Sequence, residues 1–179
     1  DPGMTIRESF AVEQIEISKG PNSSFAGRGT SGGAVNAITK AASTDYDFGK
    51  ASVGLGSDRF VRTTADINTV VNDAIAVRAN VLYAYQRVPD RSPADRERKG
   101  AALSALFKPT DKFSLTLDYY GLRAHDDTDL GDYLVTNTVT GKRRPARNVP
   151  SYVQKEDFLR SQVDTFTGRL RYECTPDIY

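Results

Sequence analysis

Residues 112–122 alternate without interruption. Phe113, Leu115, Leu117 and Tyr119 fall on one side of an extended chain, and Ser114, Thr116, Asp118 and Tyr120 fall on the other. Successive side chains of a strand point to opposite faces, so this stretch has one apolar and one polar face. The pattern recurs. In 60–68, Val61, Ala65 and Ile67 oppose Arg62, Thr64, Asp66 and Asn68. In 75–86, Val77, Ala79, Val81 and Tyr83 oppose Arg78, Asn80 and Gln86. In 50–56, Ala51, Val53 and Leu55 stand against Lys50, Ser52 and two glycines, while 99–108 and 163–173 are weaker members of the series. Repeated two-residue periodicity predicts an antiparallel sheet with one wet side over residues 48–173.

The apolar faces are rich in Ala, Val and Leu and end in aromatics such as Tyr83, Tyr85 and Tyr119, whereas the opposite faces are too polar for a packed core. Two architectures fit. One is a membrane barrel with lipid outside, a wet lumen inside and an aromatic girdle; the other is a soluble β-sandwich with a solvated sheet face. The connections favour the barrel. Tight turns are expected at Asn72-Asp73, Pro109-Thr110-Asp111 and Thr175-Pro176-Asp177. Long links are expected at 88–97 and 124–162, the second without regular structure. Short turns on one side and long loops on the other characterise outer-membrane barrels, although the short link at Ser57-Asp58 falls on the long side. The longest stretch without charge, Gly29 to Thr39, is too Gly-rich to supply the roughly 20 apolar residues of a membrane helix. A membrane strand needs only about 9–11.

Charge and rare residues narrow the function. Twenty-four Lys and Arg against 23 Asp and Glu argue against a nucleic-acid binder driven by bulk charge. Cys174 is the single cysteine and His125 the single histidine, which excludes an internal disulfide and leaves little for a triad or a zinc site. His125-Asp126-Asp127 with Asp129 and Asp132 lacks the glycine and terminal glutamate of a calcium loop, so no metal site is expected. Lys142, Arg143, Arg144 and Arg147 form a basic cluster in the second long link. It reads first as a solvated loop cluster, with steering of an anionic ligand or contact with phosphate groups as the sharper alternative. Arg87, Arg91, Arg96, Arg98 and Lys99 are offset by Asp90, Asp95 and Glu97 and read as an ordinary wet surface.

Residues 1–43 differ from the rest. Gly27-Arg28-Gly29-Thr30-Ser31-Gly32 satisfies the dinucleotide-binding spacing, which must open a helix after a strand. Here it leads into Ala34-Val35-Asn36-Ala37-Ile38-Thr39-Lys40, which alternates as a strand, so a soluble glycine-loop nucleotide-binding enzyme is a remote alternative. The segment reads instead as a strand from Val12 to Ser18, a turn at Gly20-Pro21, a glycine loop and a second strand.

Glu13-Gln14-Ile15-Glu16-Ile17-Ser18-Lys19-Gly20-Pro21, then Gly27 to Asn36, then Thr39-Lys40, resembles the C-terminal signature of the plug domain in TonB-dependent outer-membrane receptors. Arg7-Glu8-Ser9-Phe10 and the Gly27-Arg28-Gly29 form are most similar to the catecholate, ferric-siderophore branch. The resemblance implies an all-β membrane protein: a partial transmembrane antiparallel β-barrel, about six of about 22 strands, preceded by the C-terminal part of an α/β plug domain. It divides the chain into plug (1–43) and barrel (48–179). Both ends look cut, from Asp1-Pro2-Gly3 to Ile178-Tyr179, and the chain is read as a fragment.

The function implied is import of a ferric siderophore, not enzymology, with iron carried inside the ligand and no cofactor. Expected partners are the siderophore, the TonB energy-coupling protein through a missing N-terminal segment, outer-membrane lipid and lipopolysaccharide, and no nucleic acid. Haem, cobalamin or carbohydrate are alternative substrates, and a passive porin-like barrel is a further alternative. By motif position Phe25, Arg28, Gly29 and Thr30 form an apical substrate loop, joined by Tyr120 on the inward face and Arg144 in an outer loop. The family often places an aromatic directly before the first loop glycine. This chain has Ala26 there, so Arg28, always charged and rich in directional donors, carries the expectation better than Phe25.

Overall fold

The computed structural model describes residues 6–20, 32–89, 91, 93–127, 134–145 and 156–174. Its regular structure is all strand. β1 (Val12–Lys19) and β2 (Gly33–Thr39) pair antiparallel as a separate two-stranded sheet. Then follow β3 (Phe48–Leu55), β4 (Val61–Asn72), β5 (Ile75–Arg87), β6 (Asp95–Thr110), β7 (Phe113–Asp126), the short β8 (Leu134–Thr136) and β9 (Arg143–Pro145), and β10 (Leu159–Tyr172). Six of these form one antiparallel sheet in the order β10-β7-β6-β5-β4-β3, so every described neighbour is also next in sequence apart from the β8–β9 hairpin.

The alternating stretches became strands because one residue in two had a face to satisfy, but the strands outrun them. Thr110 pairs with Phe113, which shifts that turn to Asp111-Lys112. Asn72 pairs with Ile75, which shifts the first turn to Asp73-Ala74. There the Asn72 side chain accepts the Ala74 N–H at 2.9 Å, so Asn72 works as the turn's anchor and not as its tip. The link expected to be structureless from 124 to 162 is shorter and contains β8–β9. That hairpin closes through Asn137 N–H to Lys142 O at 2.9 Å and Gly141 N–H to Asn137 O at 2.8 Å. In the plug-like sheet Gly33 sits at φ +128°, and a Cβ there would lie 2.2 Å from the Ser18 carbonyl oxygen, so the pairing of β1 with β2 requires glycine.

Burial inverts the habit of soluble sheets. Ile67, Val81, Leu103 and Leu117 are about half exposed on one face, while Asp66, Asn68, Arg78, Asn80 and Ser104 are buried on the other. The buried face is covered by residues 6–12 and 40–46. It is not polar throughout, as alternation suggested. Leu82, Ala84, Ala102 and Leu122 share that face and form an apolar patch with Phe10 and Ala11. A continuous exposed apolar face of this size needs lipid or a partner, since water disfavours it. Substituting Leu117→Arg in the full-length protein should therefore weaken bilayer folding by about 2–4 kcal/mol, measured by denaturant titration in vesicles. Leu117→Phe should be near neutral; equal effects would show that this face does not meet lipid.

Candidate functional site

The inner wall is where the chain does its most specific work. Five buried polar side chains on β4, β5 and β6 project from it toward the segment that leaves β2. Arg78 forks onto Asp66 of the neighbouring strand, Nε to Oδ1 and Nη2 to Oδ2 both at 2.9 Å, a planar pairing that fixes both side chains. Arg78 also reaches Glu13 at 2.8 Å and donates to the Ala41 carbonyl at 3.2 Å. Lys40 Nζ lies 2.9 Å from Asp66 and donates to Asn80 Oδ1 at 3.1 Å. Two cations and two carboxylates thus neutralise one another; Arg78 and Asp66 are buried, Lys40 is largely so, and Glu13 is half exposed, and the pairing offsets the desolvation of the buried members.

The next residues are held by their backbone. Ser104 Oγ accepts the Ala42 N–H at 3.0 Å, and Asn68 Oδ1 accepts the Ser43 N–H at 3.1 Å. Asn68 Nδ2 donates to the Ser43 and Tyr46 carbonyls at 2.9 and 2.6 Å. The buried polar residues of the wall therefore grip a strand-free segment whose amides and carbonyls have no ladder partner, which answers the backbone accounting locally.

The segment before β1 is gripped differently. Phe10 stacks on Tyr120 with ring centroids 5.5 Å apart and packs on Leu82, Ala84, Ala102 and Leu122. A Cβ at Gly100 would stand 2.6 Å from the Phe10 ring, so the glycine is the socket for the aromatic. Glu8 meets Arg62 of β4 at 2.9 Å. Sequence reasoning did not single out Phe10 as a packing residue. The available signal was the small-residue run Gly100-Ala101-Ala102 on an otherwise ordinary strand, a hole awaiting a large side chain.

Beside Phe10 a cavity of about 630 Å³ opens between residues 6–12, the end of β2 and the inner faces of β6, β7 and β10. Tyr120, Asp118, Thr165, Arg169 and Lys40 line it. Asp118 Oδ2 accepts from Arg169 at 2.7 Å, while its buried Oδ1 has no partner among the described residues. Space, hydroxyls and an open acceptor suit water, a polar solute or further plug chain; nothing in this donor set forms a nucleophile–base pair.

Of the residues expected at a substrate site, Phe25, Arg28, Gly29 and Thr30 lie outside the described residues. Tyr120 faces inward, half-buried beneath Phe10 and lining the cavity. Arg144 lies exposed on β9 opposite Val135 and does not line that cavity. Of the signature's acids, Glu13 pairs with Arg78, whereas Glu16 accepts from Asn36 at 3.1 Å within the two-stranded sheet. No group of His, Cys, Asp and Glu among the described residues is arranged to hold a metal ion.

A plug-like hairpin pinned inside a sheet whose apolar face points outward has close structural counterparts. The siderophore receptor PiuA of Acinetobacter baumannii superposes with a TM-score of 0.81 at 33% identity, over 95% of this chain and 25% of that one. The open form of the ferric-catecholate import receptor Fiu of E. coli K12 gives 0.81 at 30% identity, over 95% and 27%. In sequence, the A. baumannii probable TonB-dependent siderophore receptor PiuA is 33% identical over 177 residues, 96% of this chain and 24% of its own length. This chain belongs to the TonB-dependent receptors. The metal-pseudopaline receptor CntO of Pseudomonas aeruginosa is 41% identical over 95 residues, 52% of this chain and 13% of its own. No protein-family model matches. The chain spans about a quarter of the length of the curated relatives PiuA and Fiu. Membership places the receptor in the bacterial outer membrane, and the six-stranded sheet is part of its barrel wall.

Two outcomes test the grip in the full-length receptor. Arg78→Leu removes the fork from buried Asp66, leaves it Lys40 alone, and takes away the partner of Glu13; it should cost up to roughly 3–5 kcal/mol of stability, read by urea unfolding in micelles. The double variant Arg78→Leu/Asp66→Leu should recover much of it; equal loss in both would deny the pairing. Gly100→Val should dislodge Phe10 and raise protease cleavage near residue 10. Adding Phe10→Ala should remove the clash but expose the patch, with the loss settling near the roughly 3–5 kcal/mol of a deleted core aromatic.

Proposed function

We propose that the complete receptor binds a ferric siderophore at the cell surface and imports it using energy from the TonB complex. The observation that carries this reading is the match, over nearly the whole chain, to relatives named as siderophore receptors. Residues 1–43 are taken as the end of the plug and 48–179 as the start of the barrel. The substrate meets Arg28, Phe25, Gly29 and Thr30 at the plug loop, with Tyr120 and Arg144 contributing from barrel positions. An always-charged guanidinium suits an anionic ferric chelate. Iron enters as cargo within the ligand, and no resident cofactor is assigned. The work is binding, rearrangement of the plug and release, with the TonB protein engaging a segment N-terminal to these residues.

A passive porin is disfavoured because residues 6–13 and 40–46 cover the inner wall through ionic and apolar contacts. A second reading, import of another metal chelate, is favoured by the likeness to a metal-pseudopaline receptor; haem, cobalamin and carbohydrate have no such support. Iron-limited uptake by the full-length receptor with a panel of ferric chelates separates these. Uptake of a catecholate complex is expected, and Arg28→Ala should weaken its binding by about tenfold or more while membrane insertion stays normal. Unchanged affinity would remove Arg28 from the site, and uptake of only non-catecholate chelates would replace the substrate class.

A further inference from the structure

The contacts that tie the hairpin to the wall fall into two chemically different groups, and they meet at Ala41. On one side of it stands a chain of four charges of alternating sign, Glu13–Arg78–Asp66–Lys40. The two inner members belong to the wall and hold each other by two parallel bonds of 2.9 Å. The two outer members belong to the hairpin base, and each reaches the wall pair through one ionic contact, 2.8 Å for Glu13 and 2.9 Å for Lys40. Lifting the outer members away removes one acid and one base together. The wall keeps a neutral, bidentate pair and the hairpin carries off no net charge. Neither side is then left with the isolated buried charge that makes ion-pair breakage costly. Asn80, which accepts from Lys40, is the polar neighbour in the wall that gives up its partner.

On the other side of Ala41 the grip is neutral and made to backbone. Ser104 and Asn68 hold Ala42, Ser43 and Tyr46 through four hydrogen bonds of 2.6–3.1 Å. Just beyond them Asp47 Oδ1 accepts the Val70 N–H of β4 at 2.6 Å. Ser104 and Asn68 are buried. Pulling residues 42–46 off the wall would strand the Ser104 hydroxyl and both ends of the Asn68 amide together with the backbone groups they satisfy, the costly way to lose a hydrogen bond. A pull along the hairpin therefore meets one contact that parts cleanly and one that does not. Ala41 joins the two. It lies between the end of β2 at Thr39 and the start of β3 at Phe48, with no strand ladder, and its carbonyl accepts from Arg78 at 3.2 Å, the longest bond of the cluster.

We propose that Ala41 is a hinge: the hairpin base, residues 11–13 with 38–40, lifts from the wall as a charge-neutral unit while residues 42–46 stay clamped. The device concerns attachment of the hairpin and is independent of what the receptor imports. The test uses the full-length receptor in micelles with two reporters. Ala102→Cys in a Cys174→Ser background puts a thiol beneath Phe10 and Ala11, where iodoacetamide reaches it when the base lifts. Amide hydrogen exchange at Ala42 and Ser43 reports the clamp. Glu13→Gln/Lys40→Gln should speed labelling roughly a hundredfold, about tenfold for each charge-assisted contact removed. Exchange at Ala42 and Ser43, and protection of β4 and β5, should stay native. Ser104→Ala should do the reverse, raising exchange at Ala42 about fivefold with labelling unchanged. Labelling and clamp exchange rising together in either variant would show that hairpin and linker leave the wall as one body, and would overturn the hinge. Native labelling in Glu13→Gln/Lys40→Gln would overturn it as well, as would loss of β4 and β5 protection there, since the wall pair would then depend on the hairpin.

Discussion

The pairing of Arg78 with Asp66 is made between adjacent strands of the wall, yet most of what it organises lies outside the sheet. Because the fork is bidentate, neither side chain is free to swing, and the second oxygen of Asp66 is presented to Lys40 while the remaining donors of Arg78 meet Glu13 and the Ala41 carbonyl. One pair thereby fixes both the start of β1 and the residue after β2. A single ionic contact in water would contribute little. Here the side chain of Arg78 is 5% exposed and that of Asp66 11% exposed, and removing either partner leaves the other with one ionic contact, Lys40 for Asp66 and Glu13 for Arg78.

That burial is possible only because the sheet is turned inside out relative to a soluble domain. A wall that faces hydrocarbon spends its apolar side chains outward and keeps its polar ones for whatever fills the interior. Asn68, Asn80 and Ser104 would be solvated in a sandwich's outer face; here Asn68 and Ser104 bond amides and carbonyls of residues 42–46, and Asn80 accepts from the Lys40 ammonium. The same inversion explains why Leu82, Ala84, Ala102 and Leu122 are exceptions to the polar inner face. They sit where Phe10 arrives, and they are apolar because Phe10 is.

Period-two alternation made the six strands and their facing legible in advance, since each residue's face follows from its parity. Turn positions were less legible. Proline and aspartate mark a turn's neighbourhood, but the loop closes where the ladder runs out, and at Asn72 and Thr110 irregular registers carried pairing further along the chain. The cluster from Arg87 to Lys99 looked like a mixed wet surface because sequence proximity hides parity. In the structure Arg98 turns inward to Asp126 while Lys99 turns outward, and only the second joins Arg123 and Arg160, whose positions are 24 and 61 residues further along the chain. A patch assembled across three strands has no contiguous sequence signal. The glycine loop is the reverse case: its motif was specific enough to identify a family, although the loop itself, residues 21–31, is not among the described residues.

The two grips together make the β1–β2 hairpin a cantilever. Its base is tied to the wall on both strands, through Glu8, Phe10 and Glu13 before and beside the start of β1 and through Lys40 to Ser43 after β2, and Lys40 N–H closes the base onto Ala11 O at 2.9 Å. From Val12 to Lys19 the hairpin extends about 25 Å from that base, and no described ionic contact joins its exposed outer half to the sheet. An event at the far end therefore reaches the wall only through the base. There, displacing either strand must expose Phe10 from its glycine socket or break a buried, neutralised cluster. Both losses are of the order of several kcal/mol. Such an anchor tolerates bending of the hairpin far more readily than its removal, so a displacement arriving along the hairpin meets its greatest resistance at Phe10 and Lys40.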